Sequence, residues 1–145
     1  MAHIRETIRE TIVNTLSGLT TTGNKVYSNR VDPYLSLPSL NVLTQMDTVR
    51  YDMCDMSTIQ VRELRLVIEG RADAATTPDD GLDIITNEVQ EAIEASSELA
   101  SLVFDITLES TSFSFTSDGQ QPIGLAEMQY SLLYQVDGID PSSIV

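Results

Sequence analysis

The sequence predicts an α+β fold in which an antiparallel or mixed sheet is covered on one face by two helices. Three observations lead there. Apolar residues recur at helical spacing near the N-terminus and again after residue 77. Between and after these stretches apolar and polar residues alternate with the period of strands, and clusters of Gly, Pro, Asp and Ser separate the periodic segments.

In the first segment Ile4, Ile8, Ile12 and Leu16 recur every four residues and Val13 widens the stripe. The tandem Ile-Arg-Glu-Thr at 4–7 and 8–11 produces that spacing. Gly18 supplies a left-handed stop, with Leu19 behind it for the accompanying apolar contact. Residues 20–25 read as a polar turn, Val26-Tyr27 as a short strand, and Asp32-Pro33 and Leu37-Pro38 as punctuation. Leu40, Val42 and Thr44 alternate as a second strand, and residues 46–57 fit a projecting loop or an extended hairpin.

Residues 59–71 form the longest strand, but the parity changes from Ile59 and Val61 to Leu64, Leu66 and Ile68, so a β-bulge is expected near Arg62 and Glu63. The second helix is capped by Thr77, with Pro78 first and Asp79 and Asp80 near the positive end of the dipole. It buries Leu82, Ile85, Val89 and Ile93. Phe104, Ile106 and Leu108, continuing after a parity change to Phe113 and Phe115, pair as a hairpin with 128–136 through the turn at 117–122. One domain over residues 1–136 is expected, followed by a flexible tail at 137–145.

The composition limits the function. At 145 residues, with 41% of them apolar, the chain can bury a real core. Cys54 is the only cysteine, so no disulfide forms within the chain. No apolar run reaches membrane-spanning length, and the start lacks the basic-then-apolar pattern of a signal peptide, so no membrane partner is expected and the chain is expected to stay in the cytoplasm where it is made. The formal net charge is −14. All eight basic residues lie in 1–71 with eight acids, whereas 72–145 hold fourteen acids and no Lys or Arg. That partition disfavours nucleic-acid binding as the main task. It also leaves Asp83, Glu88, Glu91, Glu94 and Glu98 on the second helix without cations at helical spacing, so that face is expected to meet water or a basic partner.

No catalytic constellation emerges. His3 is the only histidine and reads as a solvated terminal residue, which removes Ser-His-Asp and Cys-His arrangements. Carboxylates beside Cys54 raise a thiol's pKa, so it reads as inert. The pairs Asp52/Asp55 and Asp79/Asp80 lack calcium-loop spacing and read as loop or cap residues. No cofactor or metal is therefore expected. Candidate subunit-interface residues are Arg30, Arg50, Tyr51, Met53, Met56 and Asp118: loop-borne cations, an adaptable Met-rich segment, and an acid in a turn of the acidic half. The methionines equally fit a small satellite core.

Taken together, several segments resemble the lambda-type tail terminator family of siphophages, the minor tail protein U-like proteins. They are the 4–8 Ile-Arg-Glu-Thr-Ile helix with Leu16-Ser17-Gly18-Leu19, Thr22-Gly23-Asn24-Lys25-Val26-Tyr27, Leu37-Pro38-Ser39-Leu40-Asn41-Val42, residues 64–72, Asp79-Asp80-Gly81-Leu82-Asp83, and Gly119-Gln120-Gln121-Pro122-Ile123-Gly124. The resemblance implies a non-enzymatic virion protein, a ring of six on the head-proximal end of the tail tube. Its partners would be further copies of itself, the major tail tube protein and a head connector or neck protein, with DNA passing unbound. The same α+β plan suits a neck or head-completion protein, and a small acidic metal-dependent enzyme is the alternative from another class.

Overall fold

A computed structural model describes residues 3–23, 26–28, 39–52, 59–73, 78–116 and 123–137, the side chains of 50–52, 73, 78, 79, 116 and 137 excepted. The elements are α1 (Ile4–Leu16), β1 (Val26–Tyr27), β2 (Ser39–Asp52), β3 (Ile59–Asp73), α2 (Pro78–Ala95), α3 (Ser97–Leu102), β4 (Asp105–Thr116) and β5 (Ile123–Asp137). The five strands form one sheet in the order β1-β2-β3-β5-β4. β1 runs parallel to β2 and the other neighbours are antiparallel, so the sheet is mixed.

The central pair sets the frame. β3 and β5 stay in unbroken register from Ile59↔Asp137 to Asp73↔Ile123, and every even residue of the pair therefore points to one face. Leu64, Leu66 and Ile68 meet Ala126, Met128, Tyr130, Leu132, Tyr134 and Val136 there, all buried. α1 lies on the β1–β2 side of that face and α2 over β3 and β5. Their stripes, Ile4-Ile8-Ile12-Leu16 and Leu82-Ile85-Val89-Ile93, complete one core cluster.

The bulge expected in β3 is absent. Ile59 and Val61 face away from the helices, half buried, while Leu64, Leu66 and Ile68 face toward them. The irregularities instead fall on the strands that flank the β3–β5 pair, at Gln45 and Arg50 in β2 and at Glu109 in β4. A twisted central pair keeps its own regularity when the extra residues are placed in the strands flanking it. The Glu109 bulge explains the parity change between Leu108 and Phe113 in β4.

Residues 46–52 belong to β2, so the extended hairpin is the reading that holds for them and the projecting loop is not. Residues 53–57 lie outside those described, as do Thr77 as helix cap and the turn at 117–122. Phe104 precedes β4 instead of opening it, because α3 intervenes: Ser96 Oγ accepts from Leu99 N–H and starts a short helix. Six residues are too few for a helical period to show in the sequence. Gly18 takes φ +91°, as expected, and its N–H donates to the Gly23 carbonyl, closing the turn after α1.

Glycine at 70 is required by a close approach. A Cβ there would stand 2.9 Å from Ile85 Cγ2, whereas a Cβ at Gly81 would meet only Ala72 Cβ at 3.9 Å. Gly70→Ala is expected to destabilise by about 1–3 kcal/mol through overpacking. Gly81→Ala, inside a helix, is expected to stabilise by about 0.5–1 kcal/mol. Urea unfolding of the two variants checks the opposed signs.

Candidate functional site

Two places on the helix side of the sheet concentrate polar chemistry. The first exists because of the Gln45 bulge. The extra residue turns Asp47 onto the same face as Leu40, Val42 and Thr44, opposite Leu64, and there its side chain is only 4% exposed. Three donors meet one of its oxygens: Arg5 Nη1 at 2.9 Å, Arg62 Nη1 at 3.1 Å and Tyr134 Oη at 2.7 Å. Oδ1 is buried without a hydrogen-bond partner among the described residues. Arg62 is held from the other side by Gln60 Oε1, through Nε and Nη2.

His3 joins this cluster, a correction to its reading as a solvated terminal residue. It caps α1, with Nδ1 accepting the Arg5 N–H at 3.0 Å, and Nε2 lies 3.3 Å from Arg62 Nη1. Partial burial, followed by the nearby positive charges of Arg5 and Arg62, lowers its pKa below the ordinary 6.5. Burial and the hydrogen bond to Asp47 raise the Tyr134 pKa, so the phenol stays protonated and donating. With one oxygen taken by three donors, this carboxylate ties the start of α1 to the β2–β3–β5 sheet.

The second place is a groove of about 400 Å³ between the end of α2, α3 and the start of β4. Ile93, Val103, Ile106 and Leu108 form its apolar lining, and Glu94 and Asp105 its acidic rim. Tyr130, only 4% exposed, stands in the lining, and its hydroxyl has no hydrogen-bond partner among the described residues. Burial and the neighbouring Glu94 charge push its pKa up to about 12. Beyond the groove α2 covers β3 and β5 but stops short of β4, whose Phe113 and Phe115 stay 48% and 50% exposed; Phe104 at the groove mouth is 57% exposed.

Of the interface candidates from the sequence, only the backbone of Arg50 and Tyr51 lies within the described residues. Arg50 is the extra residue of the second β2 bulge and Tyr51 pairs with Val61, both near the hairpin end and both with undescribed side chains. Arg30, Met53, Met56 and Asp118 lie outside the described residues, as does Cys54. Among the acids of α2, Asp83, Glu91 and Glu94 are exposed as expected. Glu88 is not on the wet face: Oε1 accepts from the Thr21 N–H at 3.2 Å, and Oε2 is buried without a partner among the described residues. Sequence reasoning missed Asp47, Arg62 and Tyr134 as a unit because only the bulge gives them one parity. Among the described residues no three of His, Cys, Asp and Glu gather at metal-binding range, and no helix is long and apolar enough to cross a membrane.

Replacing Asp47 by Asn leaves two guanidinium groups facing a neutral amide and is expected to cost about 2–4 kcal/mol in chemical denaturation. His3 gives a pH dependence of defined sign. Its lowered folded pKa means that the unfolded chain takes up the proton first, at the ordinary 6.5. The stability due to neutral His3 is therefore full above that pH and declines as the pH falls from it toward the lower folded value. His3→Asn keeps a capping acceptor without the titration, so melting temperatures at pH 7.5 and 5.5 should fall less for the variant than for the wild type.

Compared with known protein families and with curated proteins, the chain matches none.

Proposed function

We propose that this chain is a structural protein of a long-tailed phage that closes the head-proximal end of the tail tube as a ring, stops tube growth and offers the surface for head joining. The observation that supports this best is the element order. A helix, a mixed run of strands, a second helical stretch and a closing hairpin form the α+β plan that the resemblance to tail terminators implies. The described parts of the segments carrying that resemblance fall on α1 and the turn after it, β1, the start of β2, β3, the start of α2 and the start of β5.

The charge partition supports a head-to-tail ring. A contact between two different surfaces closes into a ring when its rotation permits, and here one half of the chain carries every cation while the other carries all the uncompensated acid. β4 ends the sheet and, among the described residues, pairs only with β5, so one side of the molecule offers unpaired strand backbone to a neighbour. The fourteen acids of the second half repel phosphate, which suits a passage that lets DNA slide through without holding it.

A tube is an open stack in which every ring exposes the surface that recruits the next, so a cap must present two unlike faces. In this reading the segment from Met46 to Ser57, with Tyr51, Met53 and Met56, docks on the tube protein below, and Arg30, Arg50 and Asp118 serve the contact between copies. The opposite surface is left for the connector or neck protein.

Electron microscopy of particles assembled without the protein tests the proposal. Overlong or ragged tails are expected; tailless filled heads would place the protein at the neck, and tails of normal length would remove the terminator role. Met53→Ser with Met56→Ser, which touches none of the apolar stripes that the sequence predicts, is expected to leave the melting temperature within a few degrees of wild type while broadening the tail-length distribution.

A further inference from the structure

We propose that the groove between α2, α3 and β4 is the acceptor side of the contact between copies, and that it takes an arginine from the cationic first half of a second copy. The inference rests on the head-to-tail part of the functional reading and assigns its acidic surface. Three independent features of the groove specify such an occupant.

Its polar lining is rich in acceptors: the carboxylates of Glu94 and Asp105, the Gln90 amide oxygen, and the buried Tyr130 oxygen, whose lone pairs no described residue uses; Ser96 lies there too, its Oγ engaged by the Leu99 N–H. A guanidinium has five N–H donors and no acceptor, which matches such a set better than an amide or hydroxyl does. The groove's walls are apolar, formed by Ile93, Val103 and Leu108, and so suit the methylene stem of the same side chain. Phe104 stands 57% exposed at the mouth, where its ring can lie against the cation.

The source of the cation is fixed by the sequence. No Lys or Arg exists in 72–145, so the half that builds the groove has none to offer. On α2 the exposed Asp83, Asn87, Gln90 and Glu94 recur at i, i+4, i+7 and i+11, which places them along one flank. Gln90 and Glu94 line the groove with Ile106 and Leu108 of β4, and nearer the start of α2 Leu82 and Phe115 both stand over Gly124, so that flank lies on the side of β4, where Phe113 and Phe115 are exposed. The acceptor surface thus continues along β4 as an apolar strip with a polar, partly acidic wall. A neighbour lying there with its basic half inward neutralises that wall and covers the three phenylalanines together.

The test uses the full chain in sedimentation velocity over a concentration series, with circular dichroism to verify folding. The wild type is expected to assemble. Ala100→Trp, which fills the groove from an exposed lining position, and Glu94→Lys, which reverses its rim, are each expected to weaken assembly at least tenfold while the spectrum is unchanged. Tyr130→Phe, which removes only the buried oxygen, should weaken it less. If the folded Ala100→Trp and Glu94→Lys variants assemble as the wild type does, the groove is not the contact and the ring reading survives without it. A wild type that stays monomeric at every concentration overturns both the second-copy occupant and the ring.

Discussion

The unbroken antiparallel register between β3 and β5 is the constraint on which the rest of the molecule depends. Fifteen consecutive pairs without a slip give two strands with a single buried face, and that face is long enough to seat two helices. Because Gly70 and Gly124 lie in it, α2 comes close: Ile85 and Leu82 occupy space that side chains would otherwise fill. α1 then has only the β1–β2 side left, and its four-residue repeat of isoleucines and leucine fits that slot. Irregularity is displaced outward, onto the part of β2 beyond its short pairing with β1 and onto β4, which among the described residues pairs only with β5.

That displacement creates the buried polar cluster. A regular β2 would turn Asp47 to the other face of the sheet, and Arg62 and Tyr134 would extend beyond the helices without a carboxylate between them. With one extra residue at 45 the carboxylate enters the covered face and collects Arg5, Arg62 and the Tyr134 hydroxyl. Burying a carboxylate is costly unless it is paired and hydrogen-bonded, so the bulge and its three donors stand or fall together. The cluster also reaches through His3 to the first turn of α1, so helix placement and strand irregularity are linked by one group.

The β4 side is organised in the opposite way. There the helical layer ends before the sheet does, three phenylalanines remain half exposed, and a tyrosine hydroxyl is buried without a described partner. A chain that gathers three donors on Asp47 and leaves the Tyr130 hydroxyl with no described partner has two kinds of surface, one closed on itself and one incomplete. Under the proposed reading the incompleteness is what a neighbouring copy relieves, and the absence of cations from the second half keeps a single chain from relieving it alone.

The sequence by itself determined the two helical stripes, the α+β class, the long strand at 59–71, the closing hairpin and the separation of charge, because each is a local periodicity or a count that a residue's near neighbours reveal. The change of parity in β4 was legible for the same reason. Which strand bulges was not: the parity break at 59–68 looks the same whether β3 kinks or simply shows apolar residues on both faces, and only pairing with β5 decides for the second. Tertiary structure alone made Asp47, Arg62, Tyr134 and His3 neighbours, since their closeness depends on one extra residue in an adjacent strand. It also decided that the helices leave β4 uncovered, because how far a helical layer extends across a sheet is set by packing between distant segments and leaves no period in the chain.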